Sequence, residues 1–498
     1  MSQLDEFKAY YGRVEDLKQS LNLLSWDQHV YMPQGAAETR AQQLSTLSSL
    51  IHEYTTSQQM KDLLAQLARQ HYAEDSDEGR LLARAQRSVD QASKLPAEFV
   101  ETLSRQRSKT AHVWLKARAE NNFKLFEKEL AKIYDLVRQQ ADYLGYETHP
   151  YDALHDQYEM GSTVAALKPM FAELREETVE LLKALGTAEQ IDDALMHKAY
   201  DTEKQRQVSE EVARRIGFDF EHGRLDPTVH PFAQDISKYD VRITTKYVEN
   251  WFASSLFGTM HEAGHGMYEQ GIADAYHRGP LGAAVSLGVH ESQSRLYENL
   301  VGRSYAFWQG YYPRLQAHFP AQLSDTSLDD FYRAINKVEP SLIRIEADEV
   351  TYNLHILIRF ELELVLLEGS LKVAELPEAW NEKYEAYLGI TPPSDALGCL
   401  QDVHWSEALV GYFPTYTLGN LMSVQLFEAA KRAHPGIEAD MVQGDFTKLL
   451  SWLRDTIHQH GSKYTPAELV QKATGQALTA KPYISYLNSK FRALYGLS

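Results

Sequence analysis

The sequence predicts a mainly α-helical protein with one small antiparallel β-sheet near residues 217–247, and three observations carry that reading. Apolar residues recur at helical spacing along most of the 498 residues. Residues 97–142 are rich in Ala, Leu, Glu, Lys and Arg, all strong helix formers. Strand texture is confined to one stretch. There Gly217, Gly223, Pro227 and Pro231 punctuate a chain that ends in the β-branched and aromatic Val241-Arg-Ile-Thr-Thr-Lys-Tyr247.

The elements can be placed in order. An amphipathic helix spans 4–24 and ends near Ser25-Trp26-Asp27. Pro33 opens another long helical segment, in which Leu44, Leu47, Leu50 and Ile51 share a face. The polar run Glu74-Asp-Ser-Asp-Glu-Gly79 is a turn, and Pro96, Ser162-Thr163 and Pro169 mark helix starts. After the strand region, helices resume near 250 and are broken by Pro280, Pro313, Pro340, Pro377 and a loop over 389–399.

Composition narrows the function classes. Hydrophobic residues at 44% and charged residues at 24% are ordinary for a globular chain. A net charge of −19 argues against a nucleic-acid or anionic-membrane partner. Cys399 is the sole cysteine, so no intramolecular disulfide forms and no cysteine-based metal site exists. No signal peptide is visible, and no uncharged apolar run reaches the roughly 18 residues of a membrane span. A reduced, cytoplasmic location fits these facts. A serine-hydrolase elbow, G-x-S-x-G, is not found.

The motif that points to chemistry is His261-Glu262-Ala263-Gly264-His265. Residues four apart project from one helix face, so two imidazoles can grip one Zn²⁺, and Glu262 can take a proton from the attacking water. The surrounding Trp251, Phe252, Leu256, Phe257, Met260 and Met267 cover much of the helix circumference and predict burial. Histidines and a carboxylate buried there without partners would be costly, and a metal removes that cost. Zinc catalysis needs a third protein ligand. A third histidine at the H-E-x-x-H-x-x-G-x-x-H position is ruled out, because Tyr268 and Gly271 occupy the diagnostic places. Glu269, Glu291 and Glu298 remain, and Glu291 and Glu298, seven residues apart on one face, cannot be separated by spacing. Glu291 could equally form an ion pair with Arg295.

Six blocks in order give the chain a specific resemblance. They are His230-Pro-Phe232, Asp240-Val-Arg-Ile-Thr244, His261-Glu-Ala-Gly-His265, His290-Glu-Ser-Gln293, Ile343-Arg-Ile-Glu-Ala-Asp348 and Gly398-Cys-Leu-Gln-Asp-Val-His-Trp405, preceded by Met32-Pro-Gln-Gly-Ala36. Together they resemble the Taq-type metallocarboxypeptidases. The resemblance implies a single domain over 1–498 with a deep central groove, related in fold to neurolysin-like peptidases. A wall and cover lobe would span 1–200, and a lobe carrying the metal 201–498. It implies a zinc exopeptidase, usually homodimeric, acting on peptides, with His261, His265 and Glu291 as ligands and Co²⁺ as a substitute metal. Arg344 is favoured over Arg242 as receptor for the substrate's terminal carboxylate, since an arginine fork matches a carboxylate. Tyr416, Tyr412 or His404 would supply the oxyanion donor. His230, Arg242, Gln401 and Tyr412 would line the substrate, and Asp348 and Glu346, read as lying on an apolar helix, would support the zinc-bound imidazoles.

Overall fold

The computed structural model describes residues 2–497. Ser2 opens the first helix, Gln3–Val30, with a reciprocal cap: its hydroxyl accepts from the Asp5 N–H at 3.1 Å and the Asp5 carboxylate accepts from the Ser2 N–H at 2.9 Å. The helix runs past the expected stop at Ser25-Trp26-Asp27, because Trp26 is buried beneath the sheet's arginines and holds the last turn in place. Pro33 precedes a short 3₁₀ turn and the helix Ala37–Thr56, whose Leu44, Leu47, Leu50 and Ile51 are half-buried. Pro96 immediately precedes Ala97–Ala119 without a side-chain cap, and Thr163 caps Val164–Gly186 by accepting from the Ala166 N–H at 3.3 Å. Two prolines expected at helix boundaries lie inside helices: Pro169 in Val164–Gly186 and Pro313 in Tyr305–His318. A missing N–H costs one ladder bond at each. Buried faces on both sides, such as Trp308, Tyr311, Tyr312 and Leu315 around Pro313, hold those helices together.

The sheet differs from the antiparallel one expected. Its strands are β1 (Gly223–Pro227), β2 (Ala233–Ser237) and β3 (Asp240–Thr245), in the order β1-β3-β2. β2 and β3 form the antiparallel hairpin, whereas β1 runs parallel to β3, with Arg224 opposite Arg242. The connection through Thr228–Phe232 is long enough to carry the chain over the end of β3 rather than turn it directly back on β1. Side chains on β3 alternate. Ile243 approaches Gly266 of the helix Phe252–Gly271, and Thr245 Oγ1 donates to the Ser255 carbonyl at 3.0 Å. Arg242 points the other way, its guanidinium 4.3 Å from the Trp26 ring, with Arg224 5.4 Å from the same ring.

The chain divides into two compact units, and the division is not the expected one near residue 200. The first takes the residues up to Ser93, Asp193–Ile335 and Met422–Ala477; the second takes Lys94–Asp192, Asn336–Leu421 and the residues from Leu478 on. Sequence periodicity cannot reveal a chain that builds each unit from three separate segments. Among the described residues no helix is long and apolar enough to cross a membrane.

Candidate metal centre

The metal-binding motif lies on the helix Phe252–Gly271 in the first unit, buried on nearly all sides. A second helix, Leu287–Arg295, packs against it, capped by Ser286, whose hydroxyl accepts from the Val289 N–H at 3.1 Å. The two backbones approach closely at Gly264. A Cβ there would lie 2.5 Å from the Gln293 carbonyl oxygen and 2.7 Å from the Ser294 Cα. That contact brings Glu291 to the histidines.

His261 Nε2 and His265 Nε2 lie 3.6 and 3.4 Å from one atom, Oε2 of Glu291. One ligand atom from each of the three residues falls within 4.8 Å of the others. A tetrahedral zinc with bonds of about 2.1 Å separates its ligand atoms by about 3.4 Å, so the donor set fits such an ion. Glu291 serves several partners at once, its Oε2 also accepting from the Ser294 hydroxyl at 3.0 Å. Oε2 faces the imidazoles, while Oε1 accepts from Arg295 Nε at 2.6 Å, so the i,i+4 ion pair and the approach to the histidines coexist. The carboxyl stays ionised. Burial opposes that, but Arg295, His261 and His265 together hold its pKa well below the usual range.

Glu298 takes a different position. The coil widens into a π-helical turn over Leu296–Val301, and Glu298 Oε2 accepts from His261 Nδ1 at 2.8 Å. The two acids that spacing could not separate thus address the two nitrogens of one ring. Burial works against a charge on His261, but Glu291, Glu298 and Glu262 outweigh it and raise its pKa to about 9, the signature of a strongly negative pocket. His265, depressed to about 3 by burial and then by His290, stays neutral. Glu262 is 6% exposed, and its carboxyl is pushed up to about 7, mainly by burial.

In the second unit Arg344 is 5% exposed, and its fork closes on Asp402. Nε and Nη2 donate to Oδ1 at 3.0 and 2.8 Å, and Nη1 donates to the Tyr352 hydroxyl at 3.1 Å. Arg359 Nε donates to the other Asp402 oxygen at 2.6 Å. Two guanidiniums share this carboxylate, which sequence reading did not single out. Burial would raise its pKa, but Arg344 and Arg359 hold it well below the usual range. Tyr416 lies beside this pair, with its ring 5.0 Å from the Arg344 guanidinium and its hydroxyl 3.3 Å from His404 Nε2. Burial and then Arg344 keep His404 neutral, with a pKa of about 3. Tyr412 packs edge-on against Tyr416, 5.5 Å between centroids.

Several expected site residues are engaged elsewhere. The segment Ile343–Val350 is not a helix; only Arg344–Glu346 makes a 3₁₀ turn. Asp348 accepts from the backbone N–H groups of Glu339, Val350 and Thr351 and from the Thr351 hydroxyl, so it staples its own loop, and Glu346 is exposed. For His261 a carboxylate partner is present in Glu298 instead. Gln401 accepts from the Arg344 N–H at 2.9 Å and donates to the carbonyls of Leu342, Leu397 and Gly398, clamping these loops together. Arg242 is bound to Asp240 at 2.8 and 2.9 Å. His230 is exposed in the loop between β1 and β2.

Comparison with known proteins decides the family. The family model described as carboxypeptidase Taq (M32) metallopeptidase matches residues 6–491. The chain belongs to that family. It is 43% identical over 487 residues to thermostable carboxypeptidase 1 of Thermus thermophilus, covering 95% of each chain. It is 39% identical over 492 residues to carboxypeptidase 1 of Bacillus subtilis, covering 98% of each. The crystal structure of an M32 carboxypeptidase from Deinococcus radiodurans R1 superimposes with a TM-score of 0.98 at 42% identity, over 100% of both chains. The protein is therefore a metallocarboxypeptidase, a peptide hydrolase with a mainly helical fold and a small sheet.

For this metallocarboxypeptidase the contact at Gly264 makes a prediction. Gly264→Ala forces backbone atoms apart, since the added methyl would meet main chain on the facing helix. Overpacking of this kind costs about 1–3 kcal/mol. Because ligand distances tolerate only about 0.2 Å, the same shift weakens metal binding. A lower melting temperature together with less than one metal per chain is expected. Full metal content in a destabilised variant would show that Gly264 serves packing alone.

Proposed function

We propose that this carboxypeptidase is a zinc enzyme that releases single amino acids, with broad specificity, from the C-terminus of peptides. The observation that carries the reading is the convergence of two imidazole nitrogens on one oxygen of Glu291. His261, His265 and Glu291 would hold the ion. Bound there, a divalent ion would polarise the scissile carbonyl and lower the pKa of a water towards about 7. Glu262 would accept the proton of the attacking water and deliver it to the leaving amine. Tyr416 would donate to the developing oxyanion, and neutral His404, in contact with its hydroxyl, would orient it. Arg344 would recognise the terminal carboxylate. Its pairing with Asp402 fixes the plane of the fork, and the incoming carboxylate would have to share it. Action in the cytoplasm as a homodimer, with Co²⁺ able to replace Zn²⁺, completes the proposal. Light scattering should then give about twice the 56.8 kDa chain mass.

The test is digestion of a free-acid peptide and its C-terminally amidated twin, followed by mass spectrometry with and without a chelator. Stepwise loss of one residue from the free acid alone is expected, abolished by chelation and restored by zinc. Internal cleavage of both peptides would point to an endopeptidase, and turnover unaffected by chelation would overturn the metal reading.

A further inference from the structure

The two histidines of the motif are supported in different ways. His261 Nδ1 donates to Glu298 at 2.8 Å, which fixes its ring plane and leaves Nε2 as the ligand atom. His265 lacks such a bond: its Nδ1 is buried and has no hydrogen-bond partner among the described residues. On the Nδ1 side, away from Glu291, no hydrogen bond therefore holds the His265 ring.

The neighbour placed to hold it is His290. Its ring lies 4.3 Å from that of His265, centroid to centroid, at an interplanar angle of 21°. His290 precedes Glu291 on the facing helix, so the stacking ring and the third donor arrive together. His290 is itself held on two sides. Glu269 Oε1 lies 3.0 Å from its Nε2, an ion-pair contact without hydrogen-bond alignment, and the Tyr268 ring lies 5.7 Å away. Tyr268 stacks in turn on His458 at 5.2 Å and 29°, and His458 Nε2 meets Gln293 Oε1 at 2.9 Å. The series ends on the helix that carries Glu291.

We propose that His290, in charge contact with Glu269, is a positioning residue that sets the plane of the His265 ring by stacking and thereby sets the metal affinity of the site. The inference rests on the metal reading above. An offset stack prefers parallel planes and resists rotation of the ring about its Cβ–Cγ bond, the motion that would swing Nε2 away from Glu291. Loss of a group that orients a metal-binding histidine lowers affinity about 10–100-fold.

The test compares the full chain with three variants: Glu269→Gln, Glu269→Gln/His290→Ala and Glu269→Gln/His290→Phe. The double variants carry the same charge and differ only in the flat ring. Co²⁺ affinity is measured by competition with a chelator, and the visible Co²⁺ spectrum reports ligand geometry apart from activity. The alanine double variant should lose about 10–100-fold in affinity and show an altered spectrum. The phenylalanine double variant should recover most of both. Should the alanine double variant not fold by circular dichroism, the Glu269→Gln chain decides, with a smaller loss expected and no change counting against the proposal. Equal affinity in the alanine and phenylalanine variants, or wild-type affinity in both, overturns it. A wild-type chain that takes up no Co²⁺ overturns the metal reading and this inference with it; normal wild-type uptake with unchanged variants overturns this inference alone.

Discussion

Replacing Glu262 by Gln is expected to lower kcat by a factor on the order of 10³ while leaving one metal per chain, the range associated with loss of a positioned general base. Gln keeps the volume of Glu in a site that is 6% exposed, so packing is preserved. What disappears is the carboxylate, whose pKa burial raises to about 7, with Glu291 and Glu298 adding and His261 and His290 subtracting. Burial thus makes this carboxylate a stronger base than an exposed one, which suits it to take the proton of the attacking water. Glu262 points from the helix next to His261 but belongs to neither imidazole–carboxylate contact, so its removal leaves the donor distances in place. Steady-state kinetics and metal analysis of one preparation check both halves. Turnover close to wild type would remove Glu262 from the proton transfer, and loss of metal would show that its charge helps hold the ion.

The parts of this picture legible in the sequence are those set by short-range periodicity. The i,i+4 spacing of His261 and His265 survives folding because a helix enforces it. The positions of Pro96 and Thr163 mark helix starts because capping is local. Three features were illegible, each for a physical reason. Glu291 and Glu298 share a face at seven residues, and only the π-helical turn and the two nitrogens of His261 tell them apart. Asp402 meets Arg344 across 58 residues of sequence, a distance over which no pattern signals pairing. The alternation Ile343, Ile345, Ala347 and Val350 reads as an apolar coil, but Asp348 draws the backbone N–H groups of Val350 and Thr351 onto its carboxylate, and that competition ends regular structure there. The parallel strand β1 escaped for a related reason, since strand texture carries no information about direction.

The comparison of Glu291→Ala with Glu298→Ala is expected to separate a ligand from a supporting group. Glu291→Ala removes the one oxygen that both imidazoles approach, at 3.6 and 3.4 Å, and leaves two nitrogen donors where catalytic zinc uses three protein ligands. It also strips Arg295 Nε of its partner at 2.6 Å, adding a poorly compensated positive charge that repels a dication. The metal should be lost on dialysis, and hydrolysis with it, even when zinc is returned at micromolar concentration. Glu298→Ala leaves all three donor atoms in place and removes the bond that orients His261, together with the contacts to Arg295 Nη1 at 3.2 Å and Arg303 Nη2 at 3.8 Å. Affinity should fall about 10–100-fold, and saturating zinc should restore most of the activity. Metal titration of both variants beside the wild type reads the difference directly. If Glu298→Ala cannot be reloaded while Glu291→Ala binds zinc as the wild type does, the donor is Glu298, and the short contact between Glu298 and His261 Nδ1 would have to open for the ion to enter.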